Sequence, residues 1–332
     1  MPKSIFMMNK EDLRIIFMGT PEFAVGTLSA LVEGGYQVVA VVTQPDKPVG
    51  RHGSVLQASE VKKYALEKGI PVLQPEKMKD PEFVEQLSSY KADLQVVVAF
   101  RMLPEVVWAM PRFGTFNVHA ALLPQYRGAA PINWAVINGE TVTGVTTFFL
   151  DHQIDTGRII MQREFAIPDD ADVEFVYDGL MHLGAEVALE TIDRMLAGDG
   201  RVEAIPQEEL VEGVELHPAP KIFKDTCRID WARPAKSVYD FVRGLSPYPG
   251  AWTMMVLEDR PPVVVKIFKT TKCLEKVTND APGTIIVEKN NLYVATGEGM
   301  LRIDSLQMAG KKRMDAVAFL NGMRDMERYR ME

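Results

Sequence analysis

The feature that most constrains the fold is a series of short, continuously apolar runs in the first 200 residues. These runs occupy residues 13–19, 37–43, 94–100 and 115–119, and helix-like segments lie between them. A strand that is apolar on both faces has to be covered on both faces, as in a parallel sheet flanked by helices. The pattern therefore predicts an α/β domain with a doubly wound, Rossmann-like sheet.

The end of this first part has a different strand spacing. The runs at 145–150 and 158–167 are joined by a short connection, which predicts that part of the sheet is antiparallel. A long amphipathic segment, 173–197, follows them. We therefore predict that residues 1–200 form one domain, of the kind that carries a catalytic site.

The second part of the chain alternates short strands with Pro and Gly. Residues 201–217 are rich in Gly, Pro and acids without a clear period, which predicts a linker. One helix is predicted near 235–244. The strands that follow are predicted at 252–257, 263–270, 283–288, 292–296 and 301–307. Five short strands in so few residues predict a small open β-barrel over residues 218–332, of the OB-like kind that binds nucleic acid.

Composition excludes several classes of protein. The chain has 332 residues, of which 47% are hydrophobic and 25% charged, as expected for a globular protein with a substantial core. No apolar run reaches the roughly 18 residues needed to cross a membrane. The two cysteines are too few for a disulfide framework or a cysteine metal site, so we expect a cytoplasmic protein.

The charge is divided unevenly along the chain. Residues 218–332 contain 19 Lys and Arg against 14 Asp and Glu, whereas residues 1–217 contain 18 against 31. A basic second part favours a polyanionic partner. The alternative is a chance distribution of charge between two domains.

Three polar residues are candidates for chemistry in the first part. Asn117 and His119 end a predicted strand two residues apart, so their side chains point the same way, and Asp155 follows another strand. A carboxylate beside a histidine holds its tautomer and favours the imidazolium, and an asparagine amide can donate to a developing oxyanion. Such a set can move an acyl group without a metal. The alternative is that Asn117 and His119 are ordinary strand-end residues.

Several stretches together resemble the methionyl-tRNA formyltransferase family. In the first part they are RIIFMGTPEFA (14–24), TQPDKPVGR (43–51), NVHAALLPQYRGAAPIN (117–133) and IDTG (154–157). In the second part they are KIFKDTCRIDW (221–231), SPYPGAW (246–252) and APGTI (281–285). The Asn-x-His and Asp-Thr-Gly motifs alone indicate only enzymes that use 10-formyltetrahydrofolate. The second part narrows the resemblance to the tRNA enzyme.

The resemblance implies roles for residues in the first part. It implies that Asn117, His119 and Asp155 are catalytic. It also implies that the turn after the histidine contacts the folate donor; its residues are Ala121, Leu122, Leu123 and Pro124. The family usually has serine where this chain has Ala121, so a hydroxyl contact is absent. The stretch AFRMLP (99–104) also departs from the family, which commonly shows a tyrosine-glycine pair there, and this alters the expected edge of the pocket.

The resemblance also implies residues that contact tRNA. The loop at 47–55 lies where the family has a basic loop that reaches the acceptor end, and it supplies Lys47 and Arg51. In the second part Lys311, Lys312 and Arg313 form the densest basic cluster and are candidates for phosphate contacts. By itself, the 47–55 loop is equally typical of a flexible surface loop. A short basic cluster such as 310–313 is, by itself, usually a solvated face.

Taken together, these features predict an enzyme that transfers a formyl group from 10-formyltetrahydrofolate to the amino group of methionyl initiator tRNA. We expect no metal, no membrane association and a monomer. Two alternatives stay open: a formyltransferase acting on a small amine such as a sugar nucleotide, and a non-catalytic RNA-binding protein.

Overall fold

A computed structural model describes residues 8–50, 53, 55–273 and 278–332. The chain divides into two compact units. The first comprises the residues up to Gly128, Val142–Ala166 and Tyr177–Pro218, and the second comprises Ala129–Thr141, Ile167–Val176 and Ala219–Glu332. Two short segments from the first half of the chain therefore cluster with the C-terminal residues.

The first unit is built on one mixed sheet and a small hairpin. Its strands are β1 Arg14–Gly19, β2 Gln37–Val42, β3 Lys47–Val49, β4 Val55–Gln57, β5 Val72–Leu73, β6 Leu94–Val98, β7 Thr115–His119, β8 Val142–Phe149 and β9 Ile159–Ala166. The order in the sheet is β5-β2-β1-β6-β7-β8-β9, and β3 pairs only with β4. Within this seven-stranded sheet, β5, β2, β1, β6 and β7 are parallel, whereas β8 and β9 are antiparallel. The predicted doubly wound sheet with an antiparallel part is confirmed.

The strand order places a switch point between β1 and β6. From β1 the chain continues to β2 and β5 on one side and then returns to β6 on the other side. Ligands of open α/β sheets bind outside the carboxyl ends of the strands at such a point. Asn117 and His119 lie at the carboxyl end of β7, which is the neighbour of β6. The topology therefore brings these residues to the edge where a ligand is expected.

Eight α-helices lie among the residues that the structure describes. They are α1 Glu22–Glu33, α2 Glu60–Glu67, α3 Pro81–Ser89, α4 Glu105–Trp108, α5 Pro131–Ile137, α6 Val173–Ala197, α7 Ala235–Gly244 and α8 Ala316–Asn321. At α3 the Asp80 carboxylate accepts the N–H of Glu82 at 3.1 Å, with Pro81 as the first helical residue. Within the described part of the chain, no helix combines the length and apolarity that a membrane crossing requires.

The small hairpin consists of the antiparallel pair β3 and β4. Lys47 pairs with Gln57 and Val49 with Val55, and all residues of both strands are exposed. Asp46, immediately before β3, binds the ammonium of Lys62 in α2 at 2.8 Å. The Asp46 carboxylate also accepts the amide N–H of Gln74 at 2.8 Å. The base of the hairpin is therefore held by side chains of two other segments of the same unit.

In the second unit, α5 packs on α7. Ile137 is 3% exposed and belongs to the same apolar core as Val238 and Val242 of α7. The Asn133 amide donates to the Gly244 carbonyl at 2.9 Å. The sequence pattern did not predict α5. Its apolar face is covered by residues about 100 positions away, which no local pattern can show.

The rest of the second unit is an antiparallel barrel. Its strands are β10 Ala251–Val256, β11 Val263–Cys273, β12 Ile285–Glu288, β13 Asn291–Ala295, β14 Met300–Met308, β15 Met314–Asp315 and β16 Arg330–Met331. The order is β12-β13-β14-β11-β10-β16, with β15 paired to β14. The Met331 N–H donates to the Gly283 carbonyl, just before β12, at 2.9 Å, so the two ends of the sheet almost meet. The predicted small barrel is confirmed, and the two-residue strands β15 and β16 were not predicted.

Candidate active site

His119 is buried and held in one tautomer. Its side chain is 7% exposed, and its Nε2 lies 2.9 Å from the carbonyl oxygen of Tyr126. A carbonyl oxygen can only accept, so the neutral ring carries its proton on Nε2. Nδ1 is then the unprotonated nitrogen and is able to accept a proton.

Asp155 faces this nitrogen from a strained loop. Its Oδ2 lies 3.9 Å from His119 Nδ1, which is longer than a hydrogen bond, and it accepts the N–H of Gly128 at 3.0 Å. Asp155 has φ of 56°, in the left-handed region that few residues adopt. Gly157 completes the loop, since a β-carbon there would collide with the Phe149 carbonyl. The loop therefore directs the Asp155 carboxylate toward His119 Nδ1 but holds it beyond hydrogen-bond distance.

Asn117 presents an unsatisfied polar atom at the same edge of the sheet. Its Oδ1 is buried and has no hydrogen-bond partner among the residues that the structure describes. Thr20, directly after β1, likewise has a buried, unpartnered hydroxyl. A buried polar group without a partner is costly, so such atoms commonly mark the place where a ligand binds. Thr20 has the sequence position of a helix cap, but α1 begins after Pro21 and the Thr20 hydroxyl caps nothing.

The turn at residues 121–124 is bonded to the antiparallel strands beneath it. The Thr146 hydroxyl donates to the Ala121 carbonyl at 2.6 Å and accepts the Leu123 N–H at 3.1 Å. The Gln162 amide donates to the Leu123 carbonyl at 2.7 Å. Ala121 and Leu123 are buried, and Leu122 lies over Gly144, where there is no room for a side chain. Most of the turn's backbone groups are therefore already satisfied by the protein.

The unusual stretch at 99–104 is fixed by Arg101. One guanidinium nitrogen donates to the Glu76 carbonyl at 2.9 Å, and the other donates to the Pro75 carbonyl. Burial lowers the pKa of Arg101, and its Nε has no partner. Arg101 thus joins this stretch to the segment after β5.

The residues predicted to contact tRNA differ in their surroundings. Lys47 is exposed on β3, and Arg51 lies outside the described residues. Lys311 and Lys312 are exposed, and neither forms an ion pair with a described residue. Arg313 is tied to its own sheet: its Nε donates to the Ser305 hydroxyl at 2.9 Å, and its guanidinium lies 4.4 Å from the Phe268 ring centroid. Lys311 and Lys312 are therefore more available to a ligand than Arg313.

Sequence reasoning missed the residues that support the site through buried hydrogen bonds. They are Tyr126, Arg127, Thr146, Gln162 and Gln207. Tyr126 acts through its main chain, which carries no residue-specific signal. Gln207 follows a proline and precedes two glutamates, so the local sequence is typical of an exposed linker. Among the described residues, no three His, Cys, Asp or Glu side chains are grouped as a metal site would require.

Both units match known protein families. The family described as "Formyl transferase" matches residues 13–192, and "Formyl transferase, C-terminal domain" matches residues 221–324. The methionyl-tRNA formyltransferase of Parabacteroides distasonis is 61% identical over 97% of this chain and 99% of that protein. The chain belongs to the methionyl-tRNA formyltransferase family. The enzyme of that name from Bacteroides fragilis is 59% identical, over 98% of this chain and 99% of its own.

Solved structures with low sequence identity to this chain share its fold. HypX from Aquifex aeolicus, in complex with tetrahydrofolic acid, has a TM-score of 0.60 and 20% identity. The match covers 93% of this chain and 47% of HypX, so the chain spans about half the length of HypX. An N-formyltransferase from Helicobacter canadensis, in complex with folinic acid and dTDP-3-aminofucose, has a TM-score of 0.62 and 17% identity, over 91% of this chain and all of that one. Both likenesses concern the fold alone.

These comparisons confirm the resemblance read from the motifs. They extend through the second unit, since the curated relatives align over nearly their whole length. The alternatives of a small-amine enzyme and of a non-catalytic RNA-binding protein are not favoured by relatives that carry the tRNA enzyme's name.

Proposed function

We propose that this protein transfers the formyl group of 10-formyltetrahydrofolate to the amino group of methionyl initiator tRNA. The product, formylmethionyl-tRNA, serves translation initiation. The observation that carries the mechanism is the hydrogen bond from His119 to the Tyr126 carbonyl, because it leaves Nδ1 unprotonated at the edge of the sheet. The Asp155 carboxylate lies 3.9 Å from this nitrogen.

His119 manages the proton in this proposal. The amine of methionine attacks the formyl carbon, and a C–N bond forms. His119 Nδ1 accepts the proton that the amine loses, which a base within hydrogen-bond reach can do. The same proton then passes to the folate nitrogen as the original C–N bond breaks, so the histidine ends the cycle neutral. Tyr126 keeps Nε2 protonated throughout.

Asn117 and Asp155 stabilise the charges that appear during transfer. The Asn117 side-chain amide is the candidate donor to the oxyanion on the formyl carbon. Its unpartnered Oδ1 supports a place beside substrate rather than a purely structural role. Asp155 is the group proposed to stabilise the positive charge of His119 while the ring carries the transferred proton, since opposite charges about 4 Å apart attract each other. The sequence interpretation also assigned to Asp155 the task of orienting the ring, which the Tyr126 carbonyl performs here.

The turn at residues 121–124 forms one wall of the proposed donor site. Its backbone is bonded to Thr146 and Gln162, so we propose an apolar wall rather than a source of many hydrogen bonds. Ala121 is fully buried and has no hydroxyl, so this position contributes no side-chain hydrogen bond to the donor. The buried Thr20 hydroxyl is a further polar group available to a ligand.

The acceptor tRNA is proposed to meet both units. Lys47 and Arg51 of the 47–55 segment are assigned to the acceptor end, and the exposed Lys311 and Lys312 to phosphates elsewhere on the tRNA. Arg313 is assigned with them, although its contacts with Ser305 and Phe268 predict a smaller share.

A row of side chains on the barrel supports this assignment. Trp252 of β10 pairs with Lys266 of β11, and Lys266 pairs with Gln307 of β14. The Gln307 amide donates to the Lys311 carbonyl at 2.8 Å, so the row leads to the basic cluster. The Arg228 guanidinium lies 5.7 Å from the Trp252 ring. Cations beside an aromatic ring are typical of surfaces that bind RNA.

We propose that residues 1–200 form the catalytic domain, that residues 201–217 connect the two domains and that residues 218–332 bind tRNA. We also propose that the protein is cytoplasmic and monomeric. A light-scattering mass of about one chain for the protein alone, and of about one chain plus one tRNA for the complex, supports the monomer. A mass of two chains contradicts it.

The test of function is direct. The purified protein is incubated with methionyl initiator tRNA and 10-formyltetrahydrofolate, and the aminoacyl group is identified by mass. We expect a mass gain of one formyl group on the methionine. Matched reactions contain methionyl elongator tRNA or a dTDP-amino sugar. Formylation of the sugar without formylation of the tRNA contradicts the proposal.

A further inference from the structure

Gln207 connects two loops of the candidate active site. Its side chain is completely buried, although it lies in the segment that the sequence presents as a linker. The Gln207 Nε2 donates to the carbonyls of Asp155 and Gly157, at 2.9 and 2.8 Å. Its Oε1 accepts two N–H groups of Arg127, at 3.1 and 2.7 Å. Both N–H groups and the oxygen of this amide are therefore used in hydrogen bonds to the two loops.

The two loops joined by Gln207 hold the groups that surround His119. One carries Asp155, whose carboxylate faces Nδ1, and the other carries Tyr126, whose carbonyl binds Nε2. The Gly128 N–H, beside Arg127, binds the Asp155 carboxylate directly. A shift of either loop therefore changes the distance between the carboxylate and the imidazole.

The segment around Gln207, residues 205–217, is bound to the same loops at other points. Ile205 and Ile159 exchange two backbone hydrogen bonds of 2.8 Å at the start of β9. The Gln125 side chain donates to the Glu215 carbonyl at 2.7 Å and accepts the His217 N–H at 2.9 Å. These contacts fix the backbone on both sides of Gln207, so its amide is presented in one position.

We propose that Gln207 is a positioning residue: its buried amide sets the distance between Asp155 and His119, and thereby the rate of formyl transfer. The assignment rests on the proposed function. Gln207 touches no reacting atom and acts through Asp155. Asp155 is in the left-handed backbone region, and the two carbonyl bonds from Gln207 hold that strained loop in place.

The test replaces Gln207 by methionine, which has a similar length and neither donates nor accepts strongly. We expect kcat to fall roughly 10- to 100-fold, since small displacements of catalytic groups have effects of this size. The KM values for tRNA and for the folate donor should stay within about twofold, because neither substrate touches Gln207. The matched control is Gln86→Met on the exposed side of α3, which should keep the wild-type kcat.

A double-mutant cycle separates positioning from a merely structural role. In an Asp155→Asn background, where there is no carboxylate to position, Gln207→Met should cost less than about threefold in single-turnover rate. An equal loss in both backgrounds overturns the proposal, as does a wild-type kcat in the single variant. Gln207→Glu is the second variant if the methionine variant fails to fold. It keeps an acceptor for Arg127 and removes both donors.

Hydrogen exchange tests the same proposal without activity. Peptides covering residues 153–158 should exchange faster in Gln207→Met than in the wild type or in Gln86→Met. Unchanged exchange there overturns the proposal about Gln207 whatever the substrate is. A wild-type protein that does not formylate methionyl-tRNA contradicts the proposed function instead, so the two failures are distinguishable.

Discussion

The residues around His119 and the basic residues of the barrel differ in how they are held. His119 and Asp155 have side chains that are 7% and 11% exposed, and hydrogen bonds from main chain and amide groups fix their loops. Lys311 and Lys312 are exposed, and no described residue pairs with their charges. His119 and Asp155 are therefore held in one geometry. Lys311 and Lys312 supply positive charge that can act from many side-chain conformations.

This difference predicts two kinds of mutational response. Loss of a positioned group in a buried site removes an interaction that no neighbour replaces, so effects on turnover are large. Loss of an exposed lysine removes one of several screened charges, so effects are small and depend on salt.

The largest effect is expected for His119→Ala. Turnover should fall roughly 10²–10⁴-fold, the usual contribution of a positioned acid or base, with little change in donor affinity. The measurement is kcat with saturating donor and methionyl-tRNA. His152→Ala is the matched control, since the His152 side chain is 71% exposed. A folded His119→Ala protein with near-normal kcat removes this residue from the mechanism.

Asn117→Ala should be the next in size. Loss of one oxyanion donor costs roughly 10²–10³-fold in kcat in well-studied enzymes. Asn290→Ala, at an exposed position, is the control and should behave as wild type. If Asn117→Ala instead raises KM and leaves kcat unchanged, Asn117 binds substrate and does not stabilise the oxyanion.

Gly157→Ala should disturb the Asp155 loop through the backbone. The added methyl group would meet the Phe149 carbonyl, so the loop has to move, at a cost of about 1–3 kcal/mol in the free energy of unfolding. Asp155 should move with it and kcat should fall. Gly213→Ala serves as the comparison, because no atom lies within 4 Å of a β-carbon there, although its own positive φ adds some strain. Equal stability and equal kcat for the two variants contradict the close approach at Gly157.

Replacement of Lys311 and Lys312 by alanine should change salt dependence more than turnover. The slope of log affinity for tRNA against log salt should decrease by about 0.7–0.9 for each phosphate that the variant no longer neutralises. Arg313→Ala should change the slope less and lower stability, because Arg313 contacts Ser305 and Phe268. Lys63→Ala with Lys68→Ala, on and after α2, is the charge-matched control. Unchanged slopes in all variants show that the basic excess is a chance distribution.

The smallest effect concerns a lysine of the same unit that does have a partner. The Lys272 ammonium donates to Asp169 at 2.6 Å, and this hydrogen bond lowers the pKa of Asp169 below its usual 3.8. A depressed carboxyl pKa contributes stability above 3.8, and this contribution disappears as pH falls below that value. Asp169 is largely exposed, so Asp169→Asn should cost only about 0.2–1 kcal/mol at neutral pH.

The measurement is the free energy of unfolding of wild type and Asp169→Asn from about pH 7 to about pH 2.5, a range that spans the titration of a carboxyl group. The difference should vanish at the acid end. A difference that is constant over the whole range shows that the ion pair contributes nothing.

The sequence predicted much of the fold and the chemical residues of the candidate site, for identifiable reasons. The strands around β1, β6 and β7 are continuous apolar runs, and α3 has a proline after its capping Asp80. Asn117 and His119 were found because two polar residues interrupt such a run. α5 was not found, because its apolar face is buried by α7 and not by its neighbours in sequence.

What the sequence determined by itself, then, was the succession of the main apolar strands, the family and the identity of the polar residues at the strand ends. These depend on hydrophobic periodicity and on residue types, both of which are local. Only the tertiary structure decided that the Tyr126 carbonyl selects the His119 tautomer, that Gln207 joins the two loops, and that Arg313 is tied down while Lys311 is not. Each of these is a hydrogen bond or ring contact between groups whose direction and distance depend on how the folded backbone places them, and residue type alone does not encode that placement.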